Sequence, residues 1–190
     1  MNWDKLVKSC KKEKTIRVEY FGEQKFLSNG FAAADITLIA PDWEVSDFAT
    51  SLGLDAEILE GYSTHNGEKS EREEIDIYEL PWIERMRYSL NIEGRTVQPF
   101  LLSDGRILWV DMDWLAIFKD EKNKKYKFGM LNNAPALYVC VDGMLIGTIA
   151  ALYVDLCCVG GFTKVLLDGI NKSCESGFLD RGGQMTLLDE

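Results

Sequence analysis

Carboxylates dominate the chemistry on offer: 31 Asp and Glu stand against 21 Lys and Arg, giving a formal net charge of −10 over 190 residues. Asp111-x-Asp113 and the set Glu71, Glu73, Glu74 and Asp76 are where several oxygen ligands fall close together. Magnesium-dependent phosphoryl transfer uses such clusters, because a hard cation takes oxygen ligands and stabilises charge on the transferred group. The second set lacks the glycine-spaced register of a calcium loop, and Asp111 has competing work as a helix cap. A metal-dependent hydrolase is therefore an alternative reading, and no metal ligands are assigned.

Nucleophile chemistry has less to work with. His65 is the only histidine, set in the polar stretch Ser63-Thr64-His65-Asn66-Gly67, whereas triads and zinc sites both lean on imidazole. It reads as an exposed loop residue. The five cysteines, Cys10, Cys140, Cys157, Cys158 and Cys174, are odd in number and lack C-x-x-C spacing, which argues against a disulfide framework and a structural zinc site. Cys157 and Cys158 have no neighbouring activator and read as small buried hydrophobes. Neither common phosphate-binding glycine loop appears. No catalytic residue and no cofactor are expected, so the chain leans towards a non-enzymatic role.

The acidic balance repels phosphate backbones and disfavours direct nucleic-acid binding, except through a local basic patch. Lys5, Lys8, Lys11 and Lys12 are the best donors for one, although the same residues read first as a solvated helix face. Trp109 and Trp114 belong in a core: Asp111 and Asp113 beside them would repel a stacked strand.

A partner-binding peptide is the remaining signal. Gln184-Met185-Thr186-Leu187-Leu188 follows Gly177 and Gly182-Gly183. It resembles the short peptide by which many replication and repair proteins dock on the bacterial sliding clamp: a glutamine, two variable positions, then leucine and a large apolar residue. Family members usually end that pair in phenylalanine, so Leu188 departs from the pattern and implies weaker binding. The resemblance implies contacts through Gln184, Met185, Leu187 and Leu188, with two apolar anchors in a pocket and the glutamine amide at its polar rim. It also implies an accessory protein of DNA metabolism, of the kind found in phages and mobile elements. The body resembles, more faintly, the half-domain repeat of sliding clamps, which implies a ring subunit as another alternative.

These residues need a scaffold. Asp142-Gly143 joins two apolar runs across 136–152, and a type I′ turn needs positive φ at both central positions; this predicts a central antiparallel hairpin. Trp3, Leu6, Val7 and Cys10 recur at helical spacing behind the cap Asn2. From Thr15 the period becomes two, with Ile16, Val18 and Tyr20 opposite Arg17 and Glu19.

Asn29-Gly30 and Asp104-Gly105 give further hairpin signals, the first running into Ala32 to Ile39. Leu27-Ser28-Asn29-Gly30 echoes Leu102-Ser103-Asp104-Gly105, which raises a diverged duplication. Residues 63–74 read as a solvated loop, 75–80 as a possible strand, Trp82, Ile83 and Met86 as a helical turn, 112–118 as a short helix and 162–170 as another.

The expectation is an α+β fold on an antiparallel sheet: a first helix and hairpin unit over 1–40, an acidic inserted loop over 41–81, a second unit over 82–170 and a flexible tail over 171–190. The polar start of the chain lacks an apolar core of signal-peptide length, so cytoplasmic residence is expected. The apolar run at 143–154 is too short to span a bilayer.

Overall fold

The computed structural model describes residues 1–68, 76–92, 94–104, 106–151 and 184–186. In chain order the elements are α1 (Trp3–Lys12), β1 (Thr15–Phe21), β2 (Gln24–Ser28), β3 (Ala32–Asp35), α2 (Val45–Ser51), α3 (Ala56–Leu59) and β4 (Ser63–Asn66). There follow β5 (Trp82–Arg85), β6 (Ser89–Ile92), β7 (Arg95–Leu101), β8 (Ile107–Asp111) and α4 (Met112–Leu115), the last extended by a 3-10 turn, Ala116–Phe118. The strands β9 (Lys124–Leu131), β10 (Ala134–Val141), β11 (Met144–Ala150) and β12 (Gln184–Thr186) complete them. The fold is α+β, as expected. No helix among the described residues is long and apolar enough to cross a membrane.

The chain forms two compact units, Met1–Ile83 with Asp113–Ala150, and Glu84–Met112 with Ala151–Glu190. In the first, the sheet runs β4-β1-β2-β3-β11-β10-β9, and Trp82 and Ile83 of β5 add to β9. Its pairs are antiparallel except β1 with β4. The central hairpin is present. Asp142 and Gly143 take φ of 50° and 85°, the double positive φ that a type I′ turn demands. Asn132 and Asn133, at 51° and 61°, join β9 to β10 in the same way.

Both faces of this sheet carry buried apolar residues. Leu6 and Cys10 of α1 are buried, as are Phe48 of α2 and Ile117 and Phe118 of the 3-10 turn, together with Ile16, Val18, Leu27, Leu137 and Ile149 from the strands. Gly147 is forced by this packing, because a Cβ there would overlap the Phe118 ring and stand 2.6 Å from the Ala33 carbonyl oxygen. A second cluster holds Phe21, Phe26, Ala33, Ile77, Ala136, Tyr138, Cys140 and Leu145, with Leu80 and Leu131 against it.

In the second unit β7 pairs with β6, with β8 and with Glu84 and Arg85 of β5, all antiparallel, and β12 runs parallel to β6. Leu90, Val97, Phe100, Leu108, Trp109 and Val110 are buried, so Trp109 is a core residue. Trp114, in the first unit, is buried too and stacks on Phe31 with centroids 4.9 Å apart.

Several local expectations change. Ser63–Asn66 is a strand, not a solvated loop: it adds to the free edge of β1 with His65 opposite Arg17. Residues 76–80 form turns instead of a strand. Trp82–Arg85 is a strand instead of a helical turn, because β9 and β7 offer it partners that a sequence window cannot see. Hydrogen bonding ends β3 at Asp35, whose side chain caps the next turn by accepting from the Thr37 N–H and hydroxyl at 2.8 and 2.6 Å. The expected helix over 162–170 lies outside the described residues.

The echo of Leu-Ser-Asn/Asp-Gly does not mark equivalent places. Leu27 and Ser28 are inside the β2–β3 ladder, opposite Ala34 and Ala33, whereas Leu102 and Ser103 lie past the last β7–β8 pair, Leu101 with Ile107.

Candidate functional site

Partner docking is the first chemistry to place. Gln184, Met185 and Thr186 form β12, opposite Ser89, Leu90 and Asn91 of β6. Extended backbone is what a pocket-binding peptide uses, and among the described residues β12 has this one neighbour. Leu187 and Leu188 lie outside the described residues. A parallel pair of three residues gives β12 regular structure where the sequence suggests a loose tail.

Lys5, Lys8, Lys11 and Lys12 are all exposed on α1, whose N-terminus is closed as the sequence suggests: Asn2 Oδ1 accepts from the Lys5 N–H at 3.0 Å. Asp4 in the first turn and Lys11 and Lys12 in the last oppose the helix dipole, which accounts for part of the charge pattern without a ligand. Lys12 Nζ is 3.5 Å from Asp113 Oδ2, an exposed pair of small energetic weight.

The acidic pair is divided between different cations. Asp111, buried at the end of β8, has its carboxylate 3.7 Å from Arg95 Nη1, and Asp113 faces Lys12. Asp76 caps a turn through a 2.9 Å bond from the Tyr78 N–H. Glu71, Glu73 and Glu74 lie outside the described residues. Among the described residues no three His, Cys, Asp or Glu side chains gather as metal ligands would. Burial pushes the Cys10 thiol up to about 12 and also raises Cys140, so both are protonated, inert core residues at neutral pH. Cys157, Cys158 and Cys174 lie outside the described residues.

Three buried polar side chains escape a sequence reading. Gln98 of β7 is 2% exposed; its Nε2 donates to the Met86 and Tyr88 carbonyls at 2.7 and 2.9 Å, and its Oε1 accepts from Arg85 Nε at 2.8 Å. It fills the gap in the ladder between β5 and β6. Lys127 is buried too: its Nζ donates to the Ile77 carbonyl, and to that of Tyr78 at 3.3 Å, and lies 4.3 Å from the Trp82 ring centroid. Lys25 is the third, and it borders a cleft. A lysine in a β-strand carries no sequence mark of burial, and only the lysine-next-to-aromatic pattern at Tyr126-Lys127 and Lys25-Phe26 hints at it.

Comparisons with protein families, curated proteins and solved structures find no match for this chain.

Proposed function

We propose that the chain is a non-enzymatic, cytoplasmic interaction protein of DNA metabolism that docks on a sliding clamp through Gln184-Met185-Thr186-Leu187-Leu188. The observation that carries this reading is the extended backbone of Gln184–Thr186, which among the described residues has a single neighbouring strand. A short edge strand is inexpensive to release, because each net backbone hydrogen bond is worth only about 1 kcal/mol. Two leucine anchors entering an apolar pocket offset that cost, at roughly 1.5–3 kcal/mol per fully buried side chain.

Titration calorimetry of a bacterial sliding clamp with the full chain tests it. Binding is expected, weakened by more than about tenfold in Gln184→Ala/Leu187→Ala and tightened in Leu188→Phe, which restores the usual aromatic end of the motif. No heat with either the wild type or Leu188→Phe, or equal affinity for the double variant, overturns the proposal.

A further inference from the structure

Lys25 is the second residue of β2, opposite Tyr20 of β1. The residue is 5% exposed. Its backbone is tied on both sides, the N–H to Thr37 Oγ1 and the carbonyl to the Ile36 N–H, each at 2.8 Å. The ammonium donates to the Pro41 carbonyl at 2.8 Å and lies 5.6 Å from the Tyr20 ring centroid. Among the described residues no carboxylate pairs with it. An ammonium has three donors, and burying one without a counter-charge is costly unless the remaining donors are met. One carbonyl and one ring face meet that need only in part.

The missing partner has a place to sit. Lys25, Tyr20 and Thr37 line a cleft of about 440 Å³, with Asn66 in its wall and the carboxylates Glu23, Asp42 and Glu44 among its other lining residues. That volume is in the range of small-molecule sites. Its walls are fixed: the Gly67 N–H donates to the Val18 carbonyl at 2.7 Å, and Asn66 Oδ1 accepts from the Val45 N–H at 2.9 Å, tying β4 to both β1 and the start of α2. The charges are of two kinds. A buried ammonium calls for an oxyanion, whereas the exposed carboxylates Glu23, Asp42 and Glu44 repel a simple anion and attract a cation.

We propose that this cleft binds a small zwitterion of the amino-acid class, its carboxylate on the Lys25 ammonium beside Tyr20 and Thr37 and its amine towards Asp42 and Glu44. The site is independent of the clamp-docking peptide and uses neither Gln184 nor Leu187.

The test is calorimetry and thermal shift of the full chain against the twenty L-amino acids, each up to roughly 10 mM, the weak end of the ordinary affinity scale. For any binder, the matching carboxylic acid without the amine and the amine without the carboxylate serve as charge controls. At least one amino acid is expected to bind and raise the melting temperature, with both controls weaker by about tenfold or more, the weight of one charge-assisted hydrogen bond. Lys25→Met, which keeps the apolar stem, is expected to lose binding to the same degree. If that variant does not fold, Asp42→Asn/Glu44→Gln, on exposed positions, decides the matter by the same tenfold criterion. Absence of any amino-acid binding, a charge control that binds as well as the zwitterion, or unchanged affinity in the deciding variant overturns the proposal.

Discussion

Leu27-Ser28-Asn29-Gly30 and Leu102-Ser103-Asp104-Gly105 spell nearly the same turn, and the protein uses them at opposite depths. Asn29 is fully buried: its Oδ1 accepts from the Phe31 and Ala32 N–H groups at 2.9 and 2.7 Å, and its Nδ2 donates to Ser9 Oγ of α1 at 2.9 Å. Asp104 keeps the same bond two residues on, from the Arg106 N–H at 3.0 Å, and adds Arg106 Nε to Oδ2 at 2.7 Å. Both of those bonds are exposed. Local side-chain-to-backbone bonding makes each turn, but only burial makes a turn residue expensive to lose. In the first turn the asparagine also fastens a helix to a hairpin.

The largest expected effect tests that difference in depth. Asn29→Ala leaves the buried Ala32 N–H, the Phe31 N–H and Ser9 Oγ short of a partner, and is expected to cost about 2–4 kcal/mol in urea unfolding. Ser9→Ala removes the link from Asn29 to α1, together with the bond that Ser9 Oγ donates to the Leu6 carbonyl within that helix, and is expected to cost about 1 kcal/mol. A double-mutant cycle isolates that link. If Asn29→Ala costs no more than Ser9→Ala, the turn bonds carry no weight and the contrast between the two passages fails.

Gly30 sharpens the comparison by separating conformation from hydrogen bonding. Its φ is +90°, and a Cβ built there would be 3.4 Å from Thr15 Cγ2, close but not overlapping. Gly30→Ala is therefore expected to cost about 1 kcal/mol, mostly from the positive φ, with the Asn29 bonds intact. A cost equal to that of Asn29→Ala would mean that backbone strain, not the buried amide, sets the weight of this turn.

The same contrast explains what the sequence makes legible. Turns with a local code are readable: the signals at Asn29-Gly30 and Asp142-Gly143 fall between paired strands, and the one that begins at Asp104 falls between β7 and β8. Amphipathic α1 and its Asn2 cap are readable for the same reason, since cap and period lie within a dozen residues. Pairing that depends on a distant partner is not. Ser63–Asn66 is polar and short, and becomes a strand only because β1 leaves an edge beside it; Trp82–Arg85 is settled by β9 and β7. The Lys25 cleft is hidden for a related reason. Its lining comes from β1, β2, the 37–44 segment and the end of β4, which no window of sequence brings together. Of the docking peptide, the motif is legible but its pairing to Ser89–Asn91 is not.

The smallest expected effect lies at Asp104, and its pH dependence gives the comparison its last test. The Arg106 backbone N–H, and then the Arg106 side chain, hold the Asp104 carboxyl below the usual aspartate range. The folded chain thus binds this proton less readily than the unfolded chain does. Stability from Asp104 is fully present above the ordinary aspartate value and is lost as pH falls through it towards the depressed folded value. Unfolding of the wild type and of Asp104→Asn, followed from neutral pH into acid, is expected to show a small gap at neutral pH that closes in acid. Solvent exposure adds a second condition: salt screening should shrink that gap further. A gap that widens in acid would reverse the sign. One that rivals Asn29→Ala would show that an exposed turn outweighs its depth, because a carboxylate open to water has little desolvation to recover and so little stability to give.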